Sequence, residues 1–390
     1  MIEIKRNNGD VVKVFAETFE NEAWEQVKKL ANYSAYDNST IRIMPDAHAG
    51  KGCTIGTTMT LHDMVTPNLV GVDIGCGMLV VDLGEIEIDF AKLDGVIKRF
   101  VPSGFDIHTQ AWAKFDDLDE LICMNSCDIS RAIHSIGTLG GGNHFIEVDY
   151  SEKTGHKYLV IHTGSRHLGV EVCNYYKKIA ESIEYHPELI IEQLKNSGQQ
   201  RLISEALKQY RSTCKAKNYL SGESYENYLH DMLIAQRYAI LNRHIIASMI
   251  LSRLGLNAIS EWETVHNYID LESNILRKGA VSAKAGEKLL IPINMKEGSL
   301  ICIGKGNKSW NYSAPHGAGR LMSRAQARNT LSVEEFKQSM SNIYSSTVCE
   351  STLDEAPMAY KPIEVITNDI KETVDVVTRI KPIYNYKATN

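Results

Sequence analysis

The sequence predicts an α+β fold in one domain over residues 1–390, built of mixed strands and Gly-rich loops with a helical insertion at about 170–254. Three observations carry this. Residues 1–165 hold short apolar runs bounded by glycine-dense turns, the pattern of buried strands. Between about 170 and 254 glycine becomes scarce and the apolar period turns helical. From Ala258 onward strands and Gly-rich loops return, with no internal repeat or low-complexity linker.

The elements follow in order. Glu17–Asn32 is an amphipathic helix with Phe19, Ala23, Val27 and Leu30 at helical spacing. Val70–Val72 and Met78–Val81 are buried strands around a Gly-rich turn. Tyr225–Leu254 is the clearest helix, its apolar face marked by Tyr228, Leu229, Met232, Ala235, Ile240, Leu241, Ile245 and Met249. Arg237, Arg243 and Arg253 are interspersed and read as mostly solvated. Leu289–Ile293 and Leu300–Ile303 are strands flanking a turn at Lys296–Gly298.

Composition excludes some classes. With 43% hydrophobic and 23% charged residues the chain is ordinary globular protein. Its start lacks the apolar core of a signal peptide, and no apolar run is long enough to span a bilayer, so a soluble, cytoplasmic protein is expected. Eight cysteines, at 53, 76, 123, 127, 173, 214, 302 and 349, form no CxxC. They read as small core residues rather than a disulfide framework, Cys123 and Cys127 included, with Cys76 the exception. A net charge of −6 argues against broad nucleic-acid binding but not against a local basic cleft.

The chemistry lies in six segments: Met44–Gly52 (MPDAHAGKG), Val70–Met78 (VGVDIGCGM), Gly137–Val148 (GTLGGGNHFIEV), Ile161–Gly169 (IHTGSRHLG), Val265-His266-Asn267, and Ala314–Arg324 (APHGAGRLMSR). Most place a His, Asp or Cys in a glycine-dense loop, where the backbone turns sharply and a ligand can approach closely. One alone reads as a tight turn or a structural histidine; six in one chain do not. Imidazoles, a carboxylate and a thiolate are the ligand set of a divalent transition ion. Asp73 and Cys76, three apart in one turn, can face one cavity, and a thiolate can bridge two ions. His62-Asp63 and His134 read as structural or surface groups, and His48 is given no ligand role. Lys305, Lys308, Arg320 and Arg324 are candidates for lining a path for an anionic ligand, with a solvated face the plainer reading for the lysines.

Over nearly its whole length the chain resembles the RtcB family of RNA ligases, which share PDxHxGKG, VGVDIGCGM, GGGNHFIE, HxGSRxxG, the HN pair and HGAGR followed by MSR. Asp354–Lys361 (DEAPMAYK) and Lys381–Ala388 (KPIYNYKA) are similar to the family too. The resemblance implies two manganese ions, one held by Asp73, Cys76 and His144, the other by Cys76, His162 and His266. His316 would take GMP from GTP. Asn143, Glu147, Asn267, Ser299, the turn His316-Gly317-Ala318-Gly319 and Lys387 match positions that hold the guanylate. Arg166 matches an arginine placed to meet an RNA phosphate. Pro292-Ile293-Asn294-Met295 departs from the family's usual Pro-Gly-Ser-Met, so Pro292 and Met295 keep the nucleotide-contact positions while the turn between them loses backbone freedom. His167 stands where a glycine is common.

The implied activity joins an RNA 3′-phosphate or 2′,3′-cyclic phosphate end to a 5′-hydroxyl end through a GMP–histidine intermediate, in RNA repair or transfer-RNA splicing. The chain is short for the family, which leans towards repair and leaves any helper protein unknown. A metal-dependent phosphoesterase needs the same Asp, Cys and His cluster but neither a nucleophilic His316 nor a guanine site. A non-catalytic RNA-binding module would show basic, aromatic-rich strands and no full ligand set.

Overall fold

The computed structural model describes residues 1–16, 20–182, 187–215 and 218–388, and the side chains of 211–215 are not described. Two sheets organise the chain. One has six strands in the order Ile2–Lys5, Val11–Val14, Ile41–His48, Ile55–Thr60, Ile275–Lys278 and Asn267–Asp270. The other has seven, Ser260–Val265, Gly77–Gly84, Lys157–Thr163, Phe145–Tyr150, Val374–Lys387, Gly298–Gly304 and Lys288–Asn294, all neighbours antiparallel. The strand Gly77–Gly84 is buried along its length, which fits its apolar Met78–Val81 run. His266 joins the two sheets: Ser260–Val265 pairs in one, and Asn267–Asp270 in the other.

The expected helix near the start runs Asn21–Ala31, and Ala23, Val27 and Leu30 are its buried positions. Residues 17–19, with Phe19, lie outside the described residues. Val70–Val72 is not a strand. Pro67 opens a single helical turn, Pro67–Val70, and Gly71 at φ 101° ends it. The loop that follows carries Asp73 and Cys76. The hairpin of Leu289–Ile293 and Leu300–Ile303 forms as Lys288–Asn294 against Gly298–Gly304. Cys123 and Cys127 pack with their sulfurs 3.6 Å apart, and the seven cysteines whose side chains are described are free.

The helical stretch starts at Arg166 and includes Arg166–Ser182, Pro187–Asn196, Ile203–Lys215 and Glu223–Leu254. The last is capped by Gly255 in the left-handed conformation. It lies between the apolar clusters behind both sheets and is buried on several sides: Tyr228, Met232, Ala235, Tyr238 and Ile246 are all core residues. The expectation of a solvated Arg243 is therefore wrong. Its guanidinium is fully buried, donates from Nη1 to the carbonyls of Gly75 (2.9 Å) and Thr163 (2.8 Å), and pairs through Nε with Glu263 (2.8 Å). Buried Asn242 beside it accepts from the Gly137 and Thr138 amides and donates to the carbonyls of Thr138 and Gly164. One helix thus grips three of the motif loops from beneath. No helix of the described residues is long and apolar enough to cross a membrane.

Candidate active site

Strand register brings the motifs together. In the seven-stranded sheet Gly77 stands opposite both Val265 and Thr163, His162 opposite Phe145, and Phe145 opposite Lys387. Cys76, His144, His162, His266 and Lys387 therefore emerge at one end of neighbouring strands although they span more than three hundred sequence positions. The His266 amide donates to the Cys76 carbonyl (2.9 Å), and the Gly75 amide to the Asn267 carbonyl (2.8 Å), which locks the two loops to each other.

Two triads share one sulfur. Cys76 Sγ is 3.6 Å from His144 Nε2 and 3.4 Å from His162 Nε2. His144 Nε2 is 3.1 Å from an Asp73 oxygen, and His162 Nε2 is 3.4 Å from His266 Nε2. Asp73, Cys76 and His144, and separately Cys76, His162 and His266, each present ligand atoms within 4.8 Å of one another. Backbone partners fix the imidazoles: His144 Nδ1 donates to Leu139 O (2.9 Å) and His162 Nδ1 to Asn143 O (3.2 Å), which turns Nε2 of each ring towards the sulfur. Burial, reinforced by neighbouring His144 and His316, holds His162 and His266 well below the usual histidine range and hence neutral. Burial would raise the Asp73 carboxyl, but the His144 hydrogen bond and the charges of His144 and Arg166 bring it down to about 2. Burial and the Asp73 charge push the Cys76 thiol well above its ordinary value. The neutral imidazoles of His162 and His266, an ionised carboxylate and a thiol that only a strong cation would deprotonate are donors that would fit a divalent ion at each triad.

His316 stands next to this cluster. It follows the strand Ser313–Pro315, whose Pro315 pairs with Ala280. Its ring centroid is 5.0 Å from that of His266 and 6.4 Å from that of His48. Fully buried Asp46 accepts from the His316 amide (3.2 Å) and from Nδ1 (2.6 Å) through the same oxygen, so Nε2 is left with the free lone pair. The turn depends on Gly319. Its φ is 74°, and a Cβ there would lie 2.7–3.0 Å from the Asp46 backbone. Gly319→Ala is therefore expected to destabilise the fold by about 2 kcal/mol and to disturb the Asp46–His316 pair, read as a lowered denaturant midpoint.

Both features open on one cavity of about 970 Å³, within the range of small-molecule sites. Asp73, Cys76, His162 and His266 line its floor; Asn143, Glu147, Asn267, Pro292, Met295, Gly317–Gly319 and Lys387 line it further out. His144 is not among the lining residues. Burial raises the Glu147 carboxyl to about 7 despite the Asn385 amide (2.6 Å) and Lys387. The Asn267 side chain donates to Asp73 O (3.2 Å) and accepts from the Gly279 amide (2.9 Å), so it also braces the two loops. Lys387 Nζ donates to Asn143 O (2.9 Å) and pairs with Glu355 (2.7 Å).

Two further predicted residues stand apart from the cavity lining. Ser299 is fully buried behind it, opposite Pro292, with an unpartnered hydroxyl. Arg166 lies beyond the Asp73 side, its Nε donating to Thr138 Oγ1 (3.1 Å) and Nη2 to Gly104 O (3.3 Å). Of the four basic candidates, Arg320 and Arg324 line the cavity, where both pair with Glu355, while Lys305 pairs with Asp375 away from it.

Sequence reasoning missed Asp46 and Glu355. Burial would raise the Glu355 carboxyl, but Lys387 and Arg324 bring it down to about 2, making it the anion that orders the basic wall. Both acids lie inside quoted segments, MPDAHAGKG and DEAPMAYK, and that was the available signal.

The family described as "tRNA-splicing ligase RtcB" matches residues 26–126 and 123–388. The chain is 30% identical over 387 residues to "RNA-splicing ligase RtcB" of Escherichia coli (strain K12), covering 89% of this chain and 90% of that protein. It is 26% identical over 443 residues to "tRNA-splicing ligase RtcB" of Aeropyrum pernix, covering 87% and 86%. To "RNA-splicing ligase RtcB2" of Escherichia coli (strain ATCC 25922) it is 25% identical over 373 residues, covering 88% and 86%.

Proposed function

The chain belongs to the RtcB family, and from that premise we propose that it is a GTP- and manganese-dependent RNA ligase that joins 3′-phosphate or 2′,3′-cyclic phosphate ends to 5′-hydroxyl ends through guanylylated His316. The observation that carries the reading is the Asp46–His316 pair beside the two triads. A histidine whose Nδ1–H is held by a buried carboxylate at 2.6 Å presents Nε2 as a nucleophile in a fixed direction. A metal-dependent phosphoesterase needs no histidine that carries a covalent nucleotide.

In the first step His316 Nε2 attacks the α-phosphorus of GTP, the P–N bond forms, and pyrophosphate leaves with the electron pair of the broken P–O bond. In the second, an oxygen of the RNA 3′-phosphate, a cyclic end having first been opened by water at its P–O2′ bond, attacks that phosphorus and His316 recovers its lone pair. In the third, the 5′-hydroxyl oxygen attacks the 3′-phosphorus, GMP departs, and the hydroxyl proton passes to solvent. Asp46 holds the imidazole tautomer and balances the charge on the ring while it carries phosphorus. Asn143, Glu147 and Lys387 orient the nucleotide. Divalent ions held by Asp73, Cys76 and His144 and by Cys76, His162 and His266 would neutralise phosphate charge beside the nucleophile. A cytoplasmic setting, a repair role, and one domain over residues 1–390 with the helices as its insertion belong to the same proposal.

The test is incubation with α-labelled GTP and manganese. Label retained on denatured protein is expected; its absence together with cleavage of phosphate esters would favour the phosphoesterase.

Arg166 enters as the contact for an RNA phosphate. Its φ of 57° is unusual for a residue other than glycine, and its guanidinium lies so close to Gly140 that a Cβ there would clash with it. Arg166→Ala is expected to leave self-guanylylation within about twofold and to slow joining by about tenfold or more, with lysine restoring only part. Equal losses in both steps would make Arg166 a structural residue.

A further inference from the structure

Phe105 is 88% exposed, the highest exposure of any large apolar side chain among the described residues. No ring or cation is stacked on it among those residues, whereas Trp112 on the same loop has Arg253 over its ring at 5.0 Å and His108 beside it at 5.6 Å. The loop is held firmly. The Gly104 amide donates to Gly140 O (2.9 Å), and Ser103 pairs with Gly140 as an isolated bridge. Two guanidinium groups grip it: Arg166 Nη2 donates to Gly104 O (3.3 Å) and Arg131 Nη2 to Phe105 O (3.1 Å). Gly140 is four residues before the ligand His144. An unpartnered aromatic ring on a loop that two guanidinium groups hold by its backbone, one of them Arg166, has the chemistry of a nucleobase platform.

The order of groups across the site decides which strand arrives there. His316 stands against the Cys76-His162-His266 triad, its ring 5.0 Å from that of His266, whereas Asp73 belongs to the other triad, with Cys76 and His144. Arg166 is on the Asp73 side: a Cβ on Gly164, two residues before it, would clash with the Asp73 carboxylate. GMP lies at the His316 end. An in-line displacement puts the attacking oxygen opposite the leaving group, hence towards Asp73, Arg166 and the Phe105 loop.

We propose that Phe105, with Arg131 and Arg166 at its sides, is a stacking platform for the first base of the RNA strand that carries the 5′-hydroxyl. This rests on the RNA-ligase reading above. The platform acts on one substrate strand in one step, so it serves joining without touching guanylylation. Because the ring reads a π-face rather than base edges, it accepts any base.

The experiment uses the full-length protein with separate 3′-phosphate and 5′-hydroxyl RNA strands. Phe105→Ala should raise KM for the 5′-hydroxyl strand about tenfold, as loss of one base–aromatic stack does, with labelling by GTP and formation of guanylylated 3′ ends unchanged. Phe105→Trp should restore the wild-type KM. A 5′-hydroxyl strand whose first nucleotide is abasic should raise KM on the wild-type protein by the same factor and cost the Phe105→Ala variant nothing more. An unchanged KM for Phe105→Ala, a change confined to the 3′-phosphate strand, or an undiminished effect with the abasic strand would each overturn the platform while leaving the ligase reading intact. Failure of the wild-type protein to take label from GTP and to join the strands would overturn the ligase reading, and the platform with it.

Discussion

His316→Ala will take no label from α-labelled GTP, while its manganese content stays at the wild-type level. The expected loss is at least on the order of a thousandfold, because the nucleophilic atom itself is gone. Metal content should hold because His316 belongs to neither triad; it stands beside His266, ring to ring at 5.0 Å. The variant should still join an RNA whose 3′-phosphate already carries GMP, since only the first two steps use the imidazole. The linkage in the wild-type protein should be alkali-stable and acid-labile, as a phosphoramidate is and a serine or tyrosine ester is not. Peptide mapping after GTP and manganese treatment decides the matter: an adduct on any residue other than His316 would overturn the mechanism while leaving family membership untouched.

Cys76→Ser should empty both triads together. The sulfur is the vertex that they share, within 3.6 Å of two imidazoles, so no other single change removes a ligand from both sets. A serine hydroxyl is a poor replacement for a bridging thiolate. Metal analysis should find manganese falling from two ions per chain towards none, with guanylylation and joining lost in proportion. Serine is smaller than cysteine and fits the same space, so the circular-dichroism spectrum should not change. Unchanged manganese stoichiometry with full activity would exclude Cys76 as a bridge.

How far sequence carried depended on the range of the interaction. Glycine content and apolar period are local, so the Tyr225–Leu254 helix and the Leu289–Ile303 hairpin were legible. That Asp73, Cys76, His144, His162 and His266 would be grouped was legible through the family resemblance, because each sits in a motif segment that could be matched. Asp46 was not: nothing local ties it to a histidine 270 positions away, and it is the packing of Gly319 against the Asp46 backbone that brings the two loops together. Arg243 was misjudged for the same reason. An arginine on an amphipathic helix reads as solvated until the carbonyls that receive it, on Gly75 and Thr163, are brought beneath it by the sheet. Val70–Val72 failed differently, since a three-residue apolar run cannot distinguish strand from helical turn, and Pro67 decided it.

The grip of Asn242 and Arg243 on the motif loops limits how this protein can be shortened. A stretch that looks in sequence like a detachable excursion supplies the donors and acceptors for Gly75, Gly137, Thr138, Thr163 and Gly164. Bridging the gap with a short linker would strand those backbone groups in a dry interior, at about 1–3 kcal/mol each. A minimal ligase made by deleting residues between Arg166 and Leu254 would lose the shape of its metal loops before it lost its sheets. Miniaturisation must keep the long helix and trim elsewhere, and the helix Pro187–Asn196, which has no buried residue, is the place to begin.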